Sequence, residues 1–251
     1  MVRGLYTAGT GMISQMEKMN VISNNVANLN TTGFKQDDLI TRSFEDVLIK
    51  RLNDPSVVHR ANQVGPLNMG VHVDQVFTRF EQGALHETNN YTDLAVKGDG
   101  FFVIETQNGE RYTRDGAFQV DSEGRLTTKE GNPVQGQRGE INVGSTKFVV
   151  NSNGDVFADG VFIDTIRVVG FDSNDDLRKE GSNLYYNYNP QNAVFDSDGE
   201  VIQGYLEGPN IDLAKQLVNM IETYRNYESN QKVIKMIDDT LSKAVNEIGR
   251  I

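Results

Sequence analysis

Apolar residues recur every seven positions at both ends of the chain, and fall in short runs between polar turns through the middle. Near the start, Leu5, Met12, Met19 and Val26 form one row, and Ala8, Gln15, Ile22 and Leu29 form a second, three residues further on. That alternation of three and four is the seam of a coiled coil, and it predicts a helix over Leu5–Leu29. Asn30-Thr31-Thr32-Gly33 then supplies a stop, with Gly33 suited to a left-handed cap. Near the other end Met220, Tyr227, Ile234, Leu241 and Ile248 recur at sevens, joined by Leu217, Tyr224 and Val245, which predicts a helix over Ile211–Ile248. Asn210 or Asp212 can cap its start and Gly249 its end. Both helices outrun the mean of about 11–12 residues.

From about Asp93 to Leu206 the period changes. Phe101-Phe102-Val103-Ile104, Phe148-Val149-Val150 and Thr165-Ile166-Arg167-Val168-Val169 read as strands. Asp121-Ser122-Glu123-Gly124, Asn151-Ser152-Asn153-Gly154 and Asp196-Ser197-Asp198-Gly199 read as the tight turns between them. Ahead of this region, Ile40, Phe44, Val47, Leu48 and Leu52 are spaced for a short amphipathic helix. Asn53–Gly70, with Pro55, Gly65 and Pro66, reads as an extended linker, and strand character resumes at Val71–Phe80. The expectation is an α+β chain in four sections. These are an assembly helix in 1–34, a short helix and linker in 35–90, an antiparallel β domain in 91–206, and a second assembly helix in 207–251.

Each heptad helix carries an apolar stripe that needs a partner, because an isolated helix is marginal in water. The two can pair as a coiled coil within one molecule, or pack with helices of neighbouring copies; periodicity does not separate these.

Composition narrows the function. A net charge of −11 argues against nucleic acid and anionic membranes, which need a basic surface. The absence of Cys excludes disulfides, thiolate metal sites and cysteine nucleophiles together. No apolar run approaches the roughly 20 residues of a membrane span, and Glu17 and Lys18 interrupt the place where a signal peptide would be apolar. Gly98-Asp99-Gly100 starts like a phosphate loop but runs into aromatic residues instead of a helix. The Asp-rich turns lack the spaced ligands and final Glu of a calcium loop. His59, His72 and His86 are scattered without patterned partners. Nothing here calls for a cofactor, a metal, a catalytic residue or a small-molecule substrate.

Ser23-Asn24-Asn25-Val26-Ala27-Asn28-Leu29-Asn30-Thr31-Thr32-Gly33-Phe34-Lys35 resembles the N-terminal signature of the bacterial flagellar rod and hook proteins. Gly204-Tyr205-Leu206-Glu207-Gly208-Pro209-Asn210, with Val218–Ile221 and Arg225–Lys232, resembles their C-terminal signature. Asp93–Phe102 and Tyr112-Thr113-Arg114-Asp115-Gly116 resemble their core motifs. The four stand in the family's order, and the length resembles the distal-rod and long proximal-rod members more than the longer hook proteins.

The resemblance implies a structural subunit of the basal-body rod, exported without a cleaved signal peptide and polymerised beyond the inner membrane, carrying torque from motor to hook. Its implied partners are other copies of itself, the other rod and hook proteins, and the flagellar export apparatus. The implied subunit-interface residues are Leu5, Met12, Met19, Ile22, Val26, Leu29, Leu217, Met220, Tyr224, Tyr227, Ile234, Leu241 and Ile248. The signature residues are Asn24, Asn25, Ala27, Asn28, Thr32, Gly33 and Phe34. Its asparagines have two readings: amide hydrogen bonds between subunits, or a solvated face near a fraying helix end. The alternatives are a hook or hook-junction axial protein, or a β-rich surface binding module on a helical stalk.

Overall fold

The computed structural model describes residues 2–50, 63–144, 147–189, 191–192, 194–197 and 199–248. The chain forms two compact units: one of Met1–Val26, Asp37–Phe77 and Asp212–Ile251, the other of Ala27–Gln36 and Thr78–Ile211.

The first unit holds both long helices. Helix α1 spans Val2–Ala27 and helix α2 spans Leu213–Lys243, followed by one π turn over Ala244–Ile248. Asp212 caps α2, its carboxylate accepting from the Lys215 backbone N–H at 3.2 Å. The expected Gly249 cap lies outside the described residues. A β arm accompanies the helices. Asp37–Ser43 pairs with Val71–Thr78, and Val47–Lys50 pairs antiparallel with Gln63–Leu67.

The short helix expected from Ile40, Phe44, Val47 and Leu48 is therefore a correction: these residues lie on or beside strands. Their spacing fits a helix locally, but Val71–Thr78 offers Asp37–Ser43 a ladder of backbone partners from about thirty residues away, which no local pattern reveals. The linker reading fails likewise at Gln63–Leu67, where Pro66 stands opposite Leu48 in a two-stranded ladder. Leu52, Pro55 and His59 lie outside the described residues.

The second unit is β-rich and antiparallel, with a single 3₁₀ turn at Asn174–Asp176 among the described residues. Its main sheet has six strands in the spatial order Leu177–Gly181, Leu184–Asn187, Gly109–Thr113, Phe101–Thr106, Val168–Phe171, Val194–Asp196. Phe101–Thr106 is central. Phe102 and Ile104 enter one core with Leu94, Phe118, Leu126, Ile141 and Val156, while Phe101 and Val103 enter another with Tyr112, Val169, Phe171 and Tyr185. Burial on both faces explains why this strand reads as an unbroken apolar run. The second core is largely aromatic, with Tyr112 and Phe171 edge to face at 4.7 Å and Phe80 against Tyr185 at 5.3 Å.

The expected turns are present where they are described. Asp121 Oδ1 accepts from the backbone N–H groups of Glu123 and Arg125 at 2.9 and 2.8 Å, and Asn151 Oδ1 accepts from those of Asn153 and Asp155. Asp198 lies outside the described residues.

Candidate functional site: helix faces and a motif junction

Two glycines bring the helices together in the first unit. A Cβ on Gly4 would stand 3.3 Å from Ile237 Cδ1, and one on Gly11 would stand 3.1 Å from Asn230 Nδ2. As α1 advances by seven residues α2 retreats by seven, so the helices lie side by side and antiparallel at these points.

On α1 the second predicted row faces inward. Ala8 and Ile22 are buried and Gln15 half-buried, while Met12, Met19 and Val26 are half-buried and Leu5 is exposed; Leu29, half-buried, lies two residues past the end of the helix. On α2 Met220, Tyr227, Ile234 and Leu241 are half-buried, and the side chain of Ile248 lies outside the described residues. Leu217, Tyr224 and Val245 are exposed at 45%, 56% and 71%. The residues buried instead are Gln216 at 2% and Thr223 at 1%, in a row continued by the half-buried Asn230, Ile237 and Ala244. This row repeats at sevens, but its first three members are polar, so a search for apolar periodicity passes over it. Leu213, Leu217, Val218, Ile221 and Tyr224 form an outward apolar stripe on the first half of α2.

The N-terminal signature is used within the molecule. Asn25 is buried, with its side-chain amide bonded both ways to the Asp37 backbone. Asn24 and Ala27 are exposed, and Asn28 Oδ1 accepts from the Thr31 hydroxyl at 3.1 Å. Thr32 donates to Asp115 at 2.6 Å, and its carbonyl accepts from Asn183 at 2.9 Å. Gly33 has φ 66°, as expected of a left-handed position, yet it stands six residues past the end of α1 instead of capping it. A Cβ there would run into the backbone at Arg114–Asp115. Phe34 is buried, with the Lys179 ammonium 4.1 Å from its ring centre.

Three of the motifs quoted from the sequence then meet at a buried charge cluster. Lys35 Nζ lies 2.6 Å from Glu207 Oε1 and donates to the Glu81 carbonyl at 2.7 Å. Arg114 Nη1 lies 3.4 Å from Glu207 Oε2, and Nη2 donates to the Gly98 carbonyl at 2.8 Å. The Gly83 N–H also donates to Glu207 Oε1, at 2.7 Å. The three charged side chains are at most 3% exposed. Burial holds Lys35 and Arg114 below their ordinary pKa values, against the pull of the Glu207 carboxylate. Asn210, a candidate cap for α2, serves this junction instead, accepting from the Gln36 N–H at 2.7 Å and donating to the Arg79 and Glu81 carbonyls. The spacing of Lys35, Arg114 and Glu207 carries no periodicity; a charged residue inside each motif was the available signal.

Other candidate chemistry resolves into turns and packing. The Asp121 carboxylate is held below the usual range first by the Arg125 backbone N–H, and is committed to its own turn. Gly98-Asp99-Gly100 leads into a strand. His72 packs on Phe44 with ring centres 4.8 Å apart, and His86 lies on a short strand. Among the described residues no three His, Asp or Glu side chains are grouped to hold a metal ion, and no helix is long and apolar enough to cross a membrane.

Three family models match in chain order: "Flagella basal body rod protein" over residues 5–35, "Flagellar hook protein FlgE/F/G D1 domain" over 95–158, and "Flagellar basal body rod FlgEFG protein C-terminal" over 202–247. Each contributes one member of the Lys35–Arg114–Glu207 cluster. The chain is similar to the flagellar hook-basal body complex protein FlhO of Bacillus subtilis, at 31% identity with all of both chains covered. It is also similar to the basal-body rod protein FlgG of Buchnera aphidicola from Acyrthosiphon pisum, at 34% identity over 97% of this chain and 98% of that one. The basal-body rod protein FlgF of Caulobacter vibrioides is 34% identical over all of both chains. Full-length similarity at this level, carried by the same segments that fold around the charge cluster, shows that the chain belongs to the flagellar basal-body rod protein family.

Proposed function

We propose that this protein is a structural subunit of the flagellar basal-body rod which self-assembles through its terminal segments, 1–34 and 207–251, into a helical tube transmitting torque from motor to hook. The observation that carries the assembly reading is the orientation of α2. Its buried row begins with Gln216 and Thr223, while Leu217, Ile221 and Tyr224 point outward. Apolar surface left uncovered along a helix favours association, and a non-closing contact between identical copies generates a filament. Pairing of α1 with α2 as a coiled coil, with Met12, Met19, Ile22, Met220, Tyr227, Ile234 and Leu241 in its seam, is part of the same reading.

The reading places the protein in the cell envelope beyond the inner membrane, delivered by the flagellar export apparatus without a cleaved signal peptide and joined axially to other rod and hook proteins. It assigns the chain no catalytic role. Electron microscopy and sedimentation of the purified full chain at rising concentration test it. Helical polymers are the expected result, and a chain that stays monomeric with both helices formed would overturn assembly through them. Copy number in isolated basal bodies separates a distal from a proximal subunit, the distal rod requiring many more copies.

A further inference from the structure

The segments of the β-rich unit end at Gln36, Thr78 and Ile211, besides Ala27. Near those three ends, 33–36, 79–84 and 207–210 are bonded to one another in every pairing. The first and third are joined by Gly33 N–H to the Glu207 carbonyl at 2.7 Å, Gln36 N–H to Asn210 Oδ1 at 2.7 Å, and the Lys35–Glu207 ion pair. The first and second are joined by Arg79 N–H to the Gln36 carbonyl at 2.8 Å and by Lys35 to the Glu81 carbonyl. The second and third are joined by Gly208 N–H to the Ala84 carbonyl at 2.8 Å, Gly83 N–H to Glu207, and Asn210 to the Arg79 and Glu81 carbonyls.

Contact between these segments is close enough that Gly83 has no room for a Cβ, which would meet the Gly208 carbonyl oxygen. Arg114, next to the strand Gly109–Thr113, ties Glu207 to the main sheet.

We propose that Lys35, Glu207 and Asn210 make these three segments of the β-rich unit one rigid joint, a coupling that passes load arriving along them to the main sheet. This rests on the rod reading, which supplies the load. The geometry supplies the stiffness: one carboxylate and one amide each bond to both other segments, so none can shift alone without breaking bonds to both others. Two parallel peptide segments held by backbone ladders alone could shear, whereas a closed three-way set cannot. These are positioning residues and touch no substrate.

Hydrogen exchange of the full chain, read on peptides covering 33–36, 79–84 and 207–210, tests the joint, with Phe101–Thr106 as reference. Asn210→Ala removes no buried charge. It is expected to accelerate exchange about tenfold in all three segments together, the change implied by losing a half-buried group that makes three hydrogen bonds, and to leave the reference strand unchanged. Glu207→Gln is expected to do the same more strongly; should it fail to fold, Asn210→Ala alone decides. Acceleration confined to 207–210 in Asn210→Ala would overturn the proposal. Polymerisation of the unsubstituted chain is scored separately, so failure there counts against the rod reading and leaves the joint standing or falling on the exchange data.

Discussion

Asn25 grips Asp37 twice: its Nδ2 donates to the Asp37 carbonyl at 2.8 Å, and its Oδ1 accepts from the Asp37 N–H at 3.0 Å. Only a side-chain amide offers donor and acceptor at this spacing. It thereby gives the backbone of the strand Asp37–Ser43 two bonds at its first residue. Asn25→Ala is expected to cost about 1–3 kcal/mol, since both backbone groups lose a buried partner. Asn25→Asp retains the acceptor alone and should fall in the same range. Denaturant midpoints of the three chains measure it, and a loss below about 0.5 kcal/mol would mean that water replaces the amide.

Glu207 stands between two buried cations. Replacing it by Gln leaves Lys35 and Arg114 without their counter-charge, and removal of one partner from a buried ionic group typically costs about 3–5 kcal/mol. Lys35→Met should cost less, because Arg114 still faces the carboxylate and the methionine fills the apolar volume. Calorimetric melting of both variants checks the order.

Lys35 also sets a pH dependence. Its ammonium is held below the ordinary value of 10.5 by burial, so between its folded value and 10.5 the unfolded chain binds more protons than the folded one. Stability contributed by this group therefore rises with pH across that window. Subtracting the pH–stability curve of Lys35→Met from that of the unsubstituted chain should leave a positive slope there; a flat difference would show that Lys35 titrates alike in both states.

The outward stripe of α2 separates assembly from folding. Ile221 is 53% exposed, so Ile221→Asp should change the stability of the monomer by no more than about 0.5 kcal/mol while abolishing polymers. Ile234→Asp, at a half-buried position, should weaken the helix pair as well and still leave the β-rich unit folded. Normal rods and motility with Asp at either position would refute the helical assembly scheme.

Three glycines give opposite expectations. Nothing lies within 4 Å of a Cβ on Gly9, inside α1, so Gly9→Ala should stabilise by about 0.5–1 kcal/mol through helix propensity alone. Gly11→Ala must push the Asn230 amide aside and should gain less. Gly33→Ala faces both a positive φ and fixed backbone, and should destabilise by more than about 1 kcal/mol. Melting temperatures of the three single variants are sufficient.

Features with local causes were legible in the sequence. Phe101–Ile104 lies within a strand, the Asp121 and Asn151 turns use their own side chains, and both terminal helices lie within a few residues of their expected bounds. Features requiring a distant partner were not. Ile40 and Phe44 have helical spacing, but Val71–Thr78 draws the segment into a ladder. Gln216 and Thr223 lie inward although both are polar, so apolar periodicity passes over them. Lys35 and Glu207 each sat in a quoted motif, yet nothing in either stretch marks the other as its counter-ion.

Those two residues are 172 positions apart. Bringing together groups so distant costs loop-closure entropy before the contact gives any return. A chain emerging from its N-terminal side would present Lys35 well before Glu207. Until then the first ammonium has no carboxylate to be buried with and stays in water. The junction thus ties the burial of Lys35 to the far end of the sequence: a chain lacking Glu207 has no carboxylate to bury with that ammonium, and burying it unpaired is costly.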